Sequence, residues 1–367
     1  MNNRKILVLQ NSLVTSRVFR EGYFKKLLSL GYEVVLISPN DCDFSRNYLA
    51  TLGVEVVKFP TSKICPHFNN FFWFNFNVFK YGFNSDKIIC HFLVTFIYAL
   101  FSLPFFKRKL TVSVEGLGSF FGKYYLAQRI LQSLLKISSN NVLFCNENEL
   151  ALIGSPGHLV IGGVGIDLNK FQRHNIKEDK VKRTKTFLYV GRLIRDKGFL
   201  DIIEAFKIII SENNNFDFKL IVAGDIYPNN PSSLTSYDIQ SIKDEFSNRI
   251  EFLGYVKDLV SVYESADFLI LPSRREGFPV CVMEASAMGV VSLVYNVPGS
   301  KDAVIEGVNG FIISQVSSRL LSEKIKEVSF LTDMKLFEIK KSSIEYARDF
   351  FCSDKKSKLF LENILQD

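Results

Sequence analysis

Residues 268–289 read FLILPSRREGFPVCVMEASAMG. An uninterrupted apolar run, a loop containing Pro, Ser and Gly, and then a stretch with helical spacing describe a buried parallel strand that feeds through a loop into a helix. Pro279 stands close to the first helical position, where its missing N–H costs nothing. The loop therefore meets the positive end of a helix. Gly277 has no side chain in the way, so backbone N–H groups at Gly277 and Phe278 can approach an anion there. Glu276 precedes that point and Glu284 follows it, with seven residues between them. Two carboxylates beside an anion site cannot both serve the anion, so each is read as an acceptor for neutral hydroxyls. Taken alone, the same spacing fits a solvated glutamate and a surface glutamate equally well.

Outward from this stretch, short apolar runs alternate with amphipathic segments along the whole chain, the rhythm of βα units stacked into parallel sheets. Strands are expected at residues 5–9, 33–37, 54–59, 87–90, 110–114 and 141–145, then at 186–190, 219–223, 250–253, 267–271 and 290–295. A helix at residues 17–30 ends before Gly31, as a helix C-terminus should. The loop at 162–185, rich in Gly, Lys and Arg, is the expected domain boundary. The class is α/β, and two such halves place a cleft between them, with ligands outside the carboxyl ends of the strands.

The chain has 367 residues, more than one hydrophobic core usually organises. Hydrophobic residues at 47% and charged residues at 23% exclude a disordered or fibrous protein. A net charge of +7 is too small to name nucleic acid as a partner. The six cysteines form no C-x-x-C clip, so neither a metal site nor a redox motif is expected. The opening MNNRKILVLQN carries an apolar run suited to a first strand rather than to a cleavable signal, and the expected compartment is the cytoplasm.

A second constellation lies at Gly191-Arg192-Leu193 and Lys197-Gly198, between a Gly-ended strand and a helix. A guanidinium and an ammonium held there would stabilise the charge that develops on a departing diphosphate, without a metal ion. These residues and the Glu276-Gly277-Phe278-Pro279 loop with Glu284 resemble the donor-binding signature of the retaining glycosyltransferases of family four, which have the GT-B fold. Gly224-Asp225, Phe252-Leu253-Gly254, Ala266-Asp267, Pro298-Gly299, residues 306–310 and Gly165-Ile166-Asp167 fall in the family's order and spacing, so the resemblance covers about residues 161–313. It implies two Rossmann-like domains facing across a cleft, the acceptor domain at 1–165, the nucleotide-sugar domain at 166–342, and helices at 343–367 crossing back to the first domain. It also implies that Arg192 and Lys197 hold the donor diphosphate, that Glu276 touches the sugar and Glu284 the ribose. No side-chain base is obligatory, because the leaving phosphate can deprotonate the acceptor. The expected reaction is metal-independent transfer of a hexosyl or N-acetylhexosaminyl group from a nucleotide-diphosphate sugar, UDP-linked by preference.

The first half departs from the family. Gln10-Asn11-Ser12 stands where a glycine pair is frequent, and Ser113-Val114-Glu115-Gly116-Leu117-Gly118 where many members carry a histidine. The Gly-Leu-Gly stretch resembles a branch that extends polyprenyl-diphosphate-linked sugars in bacterial polysaccharide assembly, O-antigen or capsule. Acceptor-side candidates are His91, Glu115, Gly116 and Gly118. Glu115 is read either as an acceptor for a substrate hydroxyl or as a turn cap, and His91 either as a cleft residue or as a packed core residue.

Residues 68–83, FNNFFWFNFNVFKYGF, carry aromatics on more faces than a core can use. With Lys80, Lys87 and Lys107 to Lys109 nearby they suit an interfacial patch on an anionic inner membrane surface, or packing against an extra helix. Single-stranded nucleic acid is the lesser reading of that mixture, and no nucleic-acid partner is expected. Residues 88–106, nineteen mostly apolar residues, have the length of a membrane span. His91 inside the run and Pro104 near its end favour instead a strand entering a buried helix with a membrane-facing side. The expected location is therefore peripheral at the inner membrane. Two alternatives are a GT-B nucleotide-sugar epimerase and a non-catalytic, membrane-associated partner of a polysaccharide assembly complex.

Overall fold

The computed structural model describes residues 4–61, 68–118, 124–173, 184–212, 217–228 and 230–365. The chain divides into two compact units, Met1–Gly165 with Ser353–Asp367, and Ile166–Cys352.

The N-terminal unit holds a seven-stranded sheet of β1 (Lys5–Leu9), β2 (Glu33–Ile37), β3 (Glu55–Val57), β4 (Lys87–His91), β5 (Leu110–Val114), β6 (Asn141–Phe144) and β7 (Leu159–Val160). Its order is β3-β2-β1-β4-β5-β6-β7, parallel throughout. The C-terminal unit holds six strands, β8 (Lys185–Val190), β9 (Phe218–Ala223), β10 (Ile250–Gly254), β11 (Phe268–Leu271), β12 (Val291–Tyr295) and β13 (Gly310–Ile313), in the order β10-β9-β8-β11-β12-β13. These pairs are parallel too. Strands such as FLIL at β11 are buried along their whole length because helices cover both sheet faces.

Strand order positions the site. In each sheet the chain winds outward in one direction and then in the other, so two adjacent strands send their loops apart and leave a crevice at their carboxyl ends. In the C-terminal unit these strands are β8 and β11, paired through Phe187 with Phe268 and Leu188 with Leu269. The loop after β8 carries Arg192 and Lys197; the loop after β11 carries Glu276.

Several sequence expectations shift. The first helix runs Leu13–Ser29 rather than 17–30, because the Ser12 side chain accepts from Thr15 N and starts it earlier. Strand 54–59 contracts to the three residues of β3, and β7 and β13, absent from the sequence reading, close one edge of each sheet. Residues 88–106 are not one helix. β4 ends at His91, Phe92 turns the backbone at φ 65°, and a short helix, Leu93–Tyr98, and a 3-10 turn, Leu103–Phe106, follow. Buried Asn75 pins this break by donating to Tyr98 O and accepting from the Ser102 N–H and hydroxyl. Among the described residues no helix is long and apolar enough to cross a membrane.

The return to the N-terminal unit begins at Ser353, not at 343. Helix Asp333–Phe350 buries Ser343, Ile344 and Ala347 within the C-terminal unit, where the Ser343 hydroxyl donates to Ser286 O. Only the next helix, Ser353–Leu365, belongs to the N-terminal core, through Phe360, Leu361 and Ile364.

Candidate active site

The turn after β8 is tightly specified. Leu193 N donates to Asp225 O, and the buried Tyr189 hydroxyl donates to Arg192 O, at 2.9 and 2.8 Å. The Arg192 side chain is exposed and its guanidinium lies 5.2 Å from the Tyr227 ring centre. Lys197 closes a 3-10 turn, Arg195–Lys197, and Gly198 follows at φ +73°. Only glycine fits there. A Cβ would stand 2.0 Å from Pro272 O, so the β8 turn and the β11 loop touch backbone to backbone.

The β11 loop brings Glu276 to Lys197. The Lys197 ammonium donates to both carboxylate oxygens, at 2.6 and 2.8 Å, with the side chains only 23% and 12% exposed. Gly299, at φ +80°, lies so close behind that a Cβ there would be 2.2 Å from Glu276 O, and Glu276 N donates to Pro298 O. Pro279 is the N-cap of helix Val280–Ala287 rather than its first residue. Gly277 and Phe278 lie in the loop just before that cap, with the Phe278 ring edge-on to Phe351 at 6.0 Å.

Glu284, one turn into this helix, accepts a 2.9 Å bond from the Tyr263 hydroxyl. Burial pushes its carboxyl up to about 7, only partly opposed by that hydrogen bond and by Lys170. Near neutral pH it therefore changes between an acceptor and a donor. Tyr263 lies 21 residues away and had no sequence signal. Asp201, Arg274 and Tyr295, which join beside Lys197, were likewise not legible: Arg274 pairs with Asp201 through both guanidinium amino groups, and Tyr295 donates to the same carboxylate. Among the described residues no cluster of three or more His, Cys, Asp or Glu could hold a metal ion.

In the N-terminal unit the acceptor-side candidates form a buried chain. His91, at the end of β4, places Nδ1 2.8 Å from Glu115 and Nε2 3.0 Å from the Tyr23 hydroxyl. Glu115 also pairs with Arg20 and accepts from Ser113. Burial and the Arg20 charge both lower the His91 pKa, keeping the ring neutral. A neutral imidazole then donates from Nδ1 to Glu115 and accepts Tyr23 O–H at Nε2. Burial would raise the Glu115 carboxyl, but Arg20 and His91 outweigh it and hold it below the usual range. Phe360 of the returning helix stacks on His91, centres 5.6 Å apart. Both groups are thus engaged within this unit, and His91 is a packed residue. Gly116 and Gly118 follow at φ 115° and 67°, and Leu117 N donates to Glu149. Arg20, on the first helix, was missed because nothing local in the sequence links it to a carboxylate 95 positions away.

Residues 170–349 match the family described as glycosyl transferases group 1. The chain is 31% identical over 198 residues to the capsular polysaccharide biosynthesis glycosyltransferase CapM of Staphylococcus aureus, covering 53% of this chain and 49% of that protein. It is 27% identical over 338 residues, 84% of each chain, to the N,N'-diacetylbacillosaminyl-diphospho-undecaprenol alpha-1,3-N-acetylgalactosaminyltransferase of Campylobacter jejuni. Among solved structures, a glycosyltransferase from Rickettsia africae superposes with a TM-score of 0.75 over 100% of both chains at 20% identity. Anabaena Alr3699/HepE in complex with UDP and glucose superposes at 0.74 over 98% and 99%, at 17% identity.

Proposed function

With residues 170–349 a group 1 glycosyltransferase domain and the fold that of GT-B enzymes, we propose that this glycosyltransferase moves a hexosyl or N-acetylhexosaminyl group, with retention, from a nucleotide-diphosphate sugar, UDP-linked by preference, to a hydroxyl of a lipid-linked glycan in surface polysaccharide synthesis. The observation that carries the donor half is the Lys197–Glu276 pair at the crevice between β8 and β11. In the transfer, the bond between sugar C1 and the phosphate oxygen breaks and its electron pair leaves with the phosphate. The acceptor oxygen bonds to C1 on the same face, and its proton passes to the departing phosphate. Lys197 and Arg192 offset the charge arriving on the diphosphate, and so no metal ion is required. Glu276 accepts from sugar hydroxyls, and ionised Glu284 from a ribose hydroxyl. Glu115, already bonded to Arg20 and His91, is no free acid or base, which disfavours the epimerase alternative.

A lipid-linked acceptor is supported by the Campylobacter jejuni relative, whose name specifies an undecaprenol-linked substrate, and by one surface of the N-terminal unit. Helix Phe68–Gly82 and the segment to Phe106 turn Phe72, Phe76, Phe83, Phe101 and Phe105 outward, Phe105 at 71% exposure. Residues 56–146 contain ten Lys or Arg and two acids, Asp86 and Glu115. Asp86 bonds Lys5 N and Glu115 bonds Arg20, so neither offsets the basic outer face. Aromatics among cations suit the headgroup region of an anionic bilayer. The aromatics differ in part from those singled out in the sequence: Phe71 and Trp73 pack against the core, and Phe72 alone of those three faces out. A thermal-shift screen of nucleotide sugars, followed by transfer to polyprenyl-diphosphate-linked acceptors, tests the reading; activity restricted to free soluble sugars would refute its lipid half.

A further inference from the structure

Three residues beside the donor crevice have no place in the chemistry above. Asp201 sits in the first turn of helix Phe199–Ser211, Arg274 in the loop after β11, and Tyr295 at the end of β12. The Arg274 guanidinium spans both oxygens of Asp201, with Nη2 2.9 Å from Oδ1, and the Tyr295 hydroxyl donates to Oδ2 at 2.9 Å. Asp201 is therefore saturated by protein donors and turns no lone pair toward a substrate that these bonds do not already use. The Arg274 guanidinium also lies 5.9 Å from the Tyr295 ring centre, so its plane is constrained from two sides.

The consequence falls on Lys197. Arg274 N donates to Asp196 O at 2.9 Å, on one side of Lys197, and Gly198 abuts Pro272 O on the other. Arg274 lies two residues before Glu276. The β8 turn that carries the ammonium and the β11 loop that carries the carboxylate are thus fastened to each other, and the side-chain part of the fastening is the Asp201–Arg274 fork. An exposed ion pair by itself is a weak source of stability. A bidentate one that fixes two loops is well suited to setting a distance.

We propose that Asp201 is a positioning residue for the donor site: through Arg274 and Tyr295 it holds the Lys197 turn and the Glu276 loop at the separation the Lys197–Glu276 pair requires. This rests on the donor-site reading above, and the test keeps the two apart. In the full-length protein, brief acetylation with acetic anhydride and peptide mass spectrometry report how well Lys197 is protected by Glu276. Asp201→Asn and Arg274→Met should each raise Lys197 labelling several-fold, and the double variant no further, while Lys219, paired with Glu251 elsewhere on the unit, stays unchanged. Donor turnover should fall by about 10- to 100-fold, the scale of a displaced catalytic group, with KM little changed and Arg274→Lys intermediate. Wild-type labelling and kcat in both variants would overturn the proposal and leave the bridge merely structural. Should Asp201→Asn fail to fold, Arg274→Met, at a partly exposed side chain, decides. If the wild-type protein turns over no nucleotide sugar, the transfer reading fails, and the labelling still decides the positioning role.

Discussion

The ammonium of Lys197 lies 2.6 and 2.8 Å from the two carboxylate oxygens of Glu276, across 79 residues of sequence. The cation proposed for the diphosphate and the carboxylate proposed for the sugar thus neutralise each other before any donor arrives. A diphosphate entering the site competes with Glu276 for Lys197.

Removing that competition separates binding from catalysis. Glu276→Gln should bind UDP several-fold more tightly in calorimetry yet turn over donor about 10²-fold more slowly, whereas Lys197→Ala and Arg192→Ala should each lose about 10²-fold in turnover. Weaker UDP binding by Glu276→Gln would show that the pair does not compete with the diphosphate. Unchanged turnover in both cation variants would end their assignment.

Glu284 makes donor binding pH-dependent. With its carboxyl pushed up to about 7 by burial, the ionised acceptor form dominates at pH 8 and the protonated form at pH 6. UDP affinity should therefore be about tenfold lower at pH 6 than at pH 8, and Glu284→Gln should flatten the profile. An equal slope in that variant would place the titration elsewhere.

Transfer should survive excess chelator, since Arg192 and Lys197 supply the charge a metal ion would otherwise provide. Loss of activity with EDTA, restored by Mg²⁺ or Mn²⁺, would contradict this.

The buried chain of His91 and Glu115 should make the N-terminal unit acid-sensitive. Both pKa values are lowered in the folded state, from 6.5 and 4.5. The unfolded chain consequently binds more protons, and stability is lost as pH falls below 6.5 through His91 and below 4.5 through Glu115. The urea midpoint should drop between pH 7 and pH 5, and His91→Gln, less stable at pH 7, should show a smaller drop over the same interval.

Exposed and buried aromatics should respond differently. Replacing Phe72, Phe76 and Phe105 by Ser should weaken co-sedimentation with anionic vesicles and leave donor hydrolysis intact. Burying several such rings at an interface is worth a few kcal/mol, and each nearby cation about 1 kcal/mol, so high salt should also release the protein. Phe71→Ser and Trp73→Ser should instead lower the melting temperature, because those rings pack on the core. A protein that stays wholly in solution beside such vesicles would remove the membrane reading.

Residues 268–289, read alone, establish a buried strand, a loop and a helix, because apolar periodicity and Pro and Gly placement act over a few residues and need no distant partner. The α/β class and the donor motifs at Gly191 to Gly198 and at Glu276 to Glu284 were legible for the same local reason. What these residues touch was not. The Lys197–Glu276 pair, the hold of Asp201 on Arg274 and the capture of Glu115 by Arg20 join residues 79, 73 and 95 positions apart. Strand order decides those meetings. With β8 beside β11 and β4 beside β5, distant loops emerge at one sheet edge, and spacing along the chain carries no trace of that adjacency. Burial acts in the same way. Glu284 and Glu276 are the same residue type a short distance apart in sequence, yet only the packing around helix Val280–Ala287 removes water from one of them and raises its pKa. The aromatic stretch at residues 68–83 follows this rule as well, since the helix and its tertiary neighbours determine that Phe74 is covered and Phe76 is not.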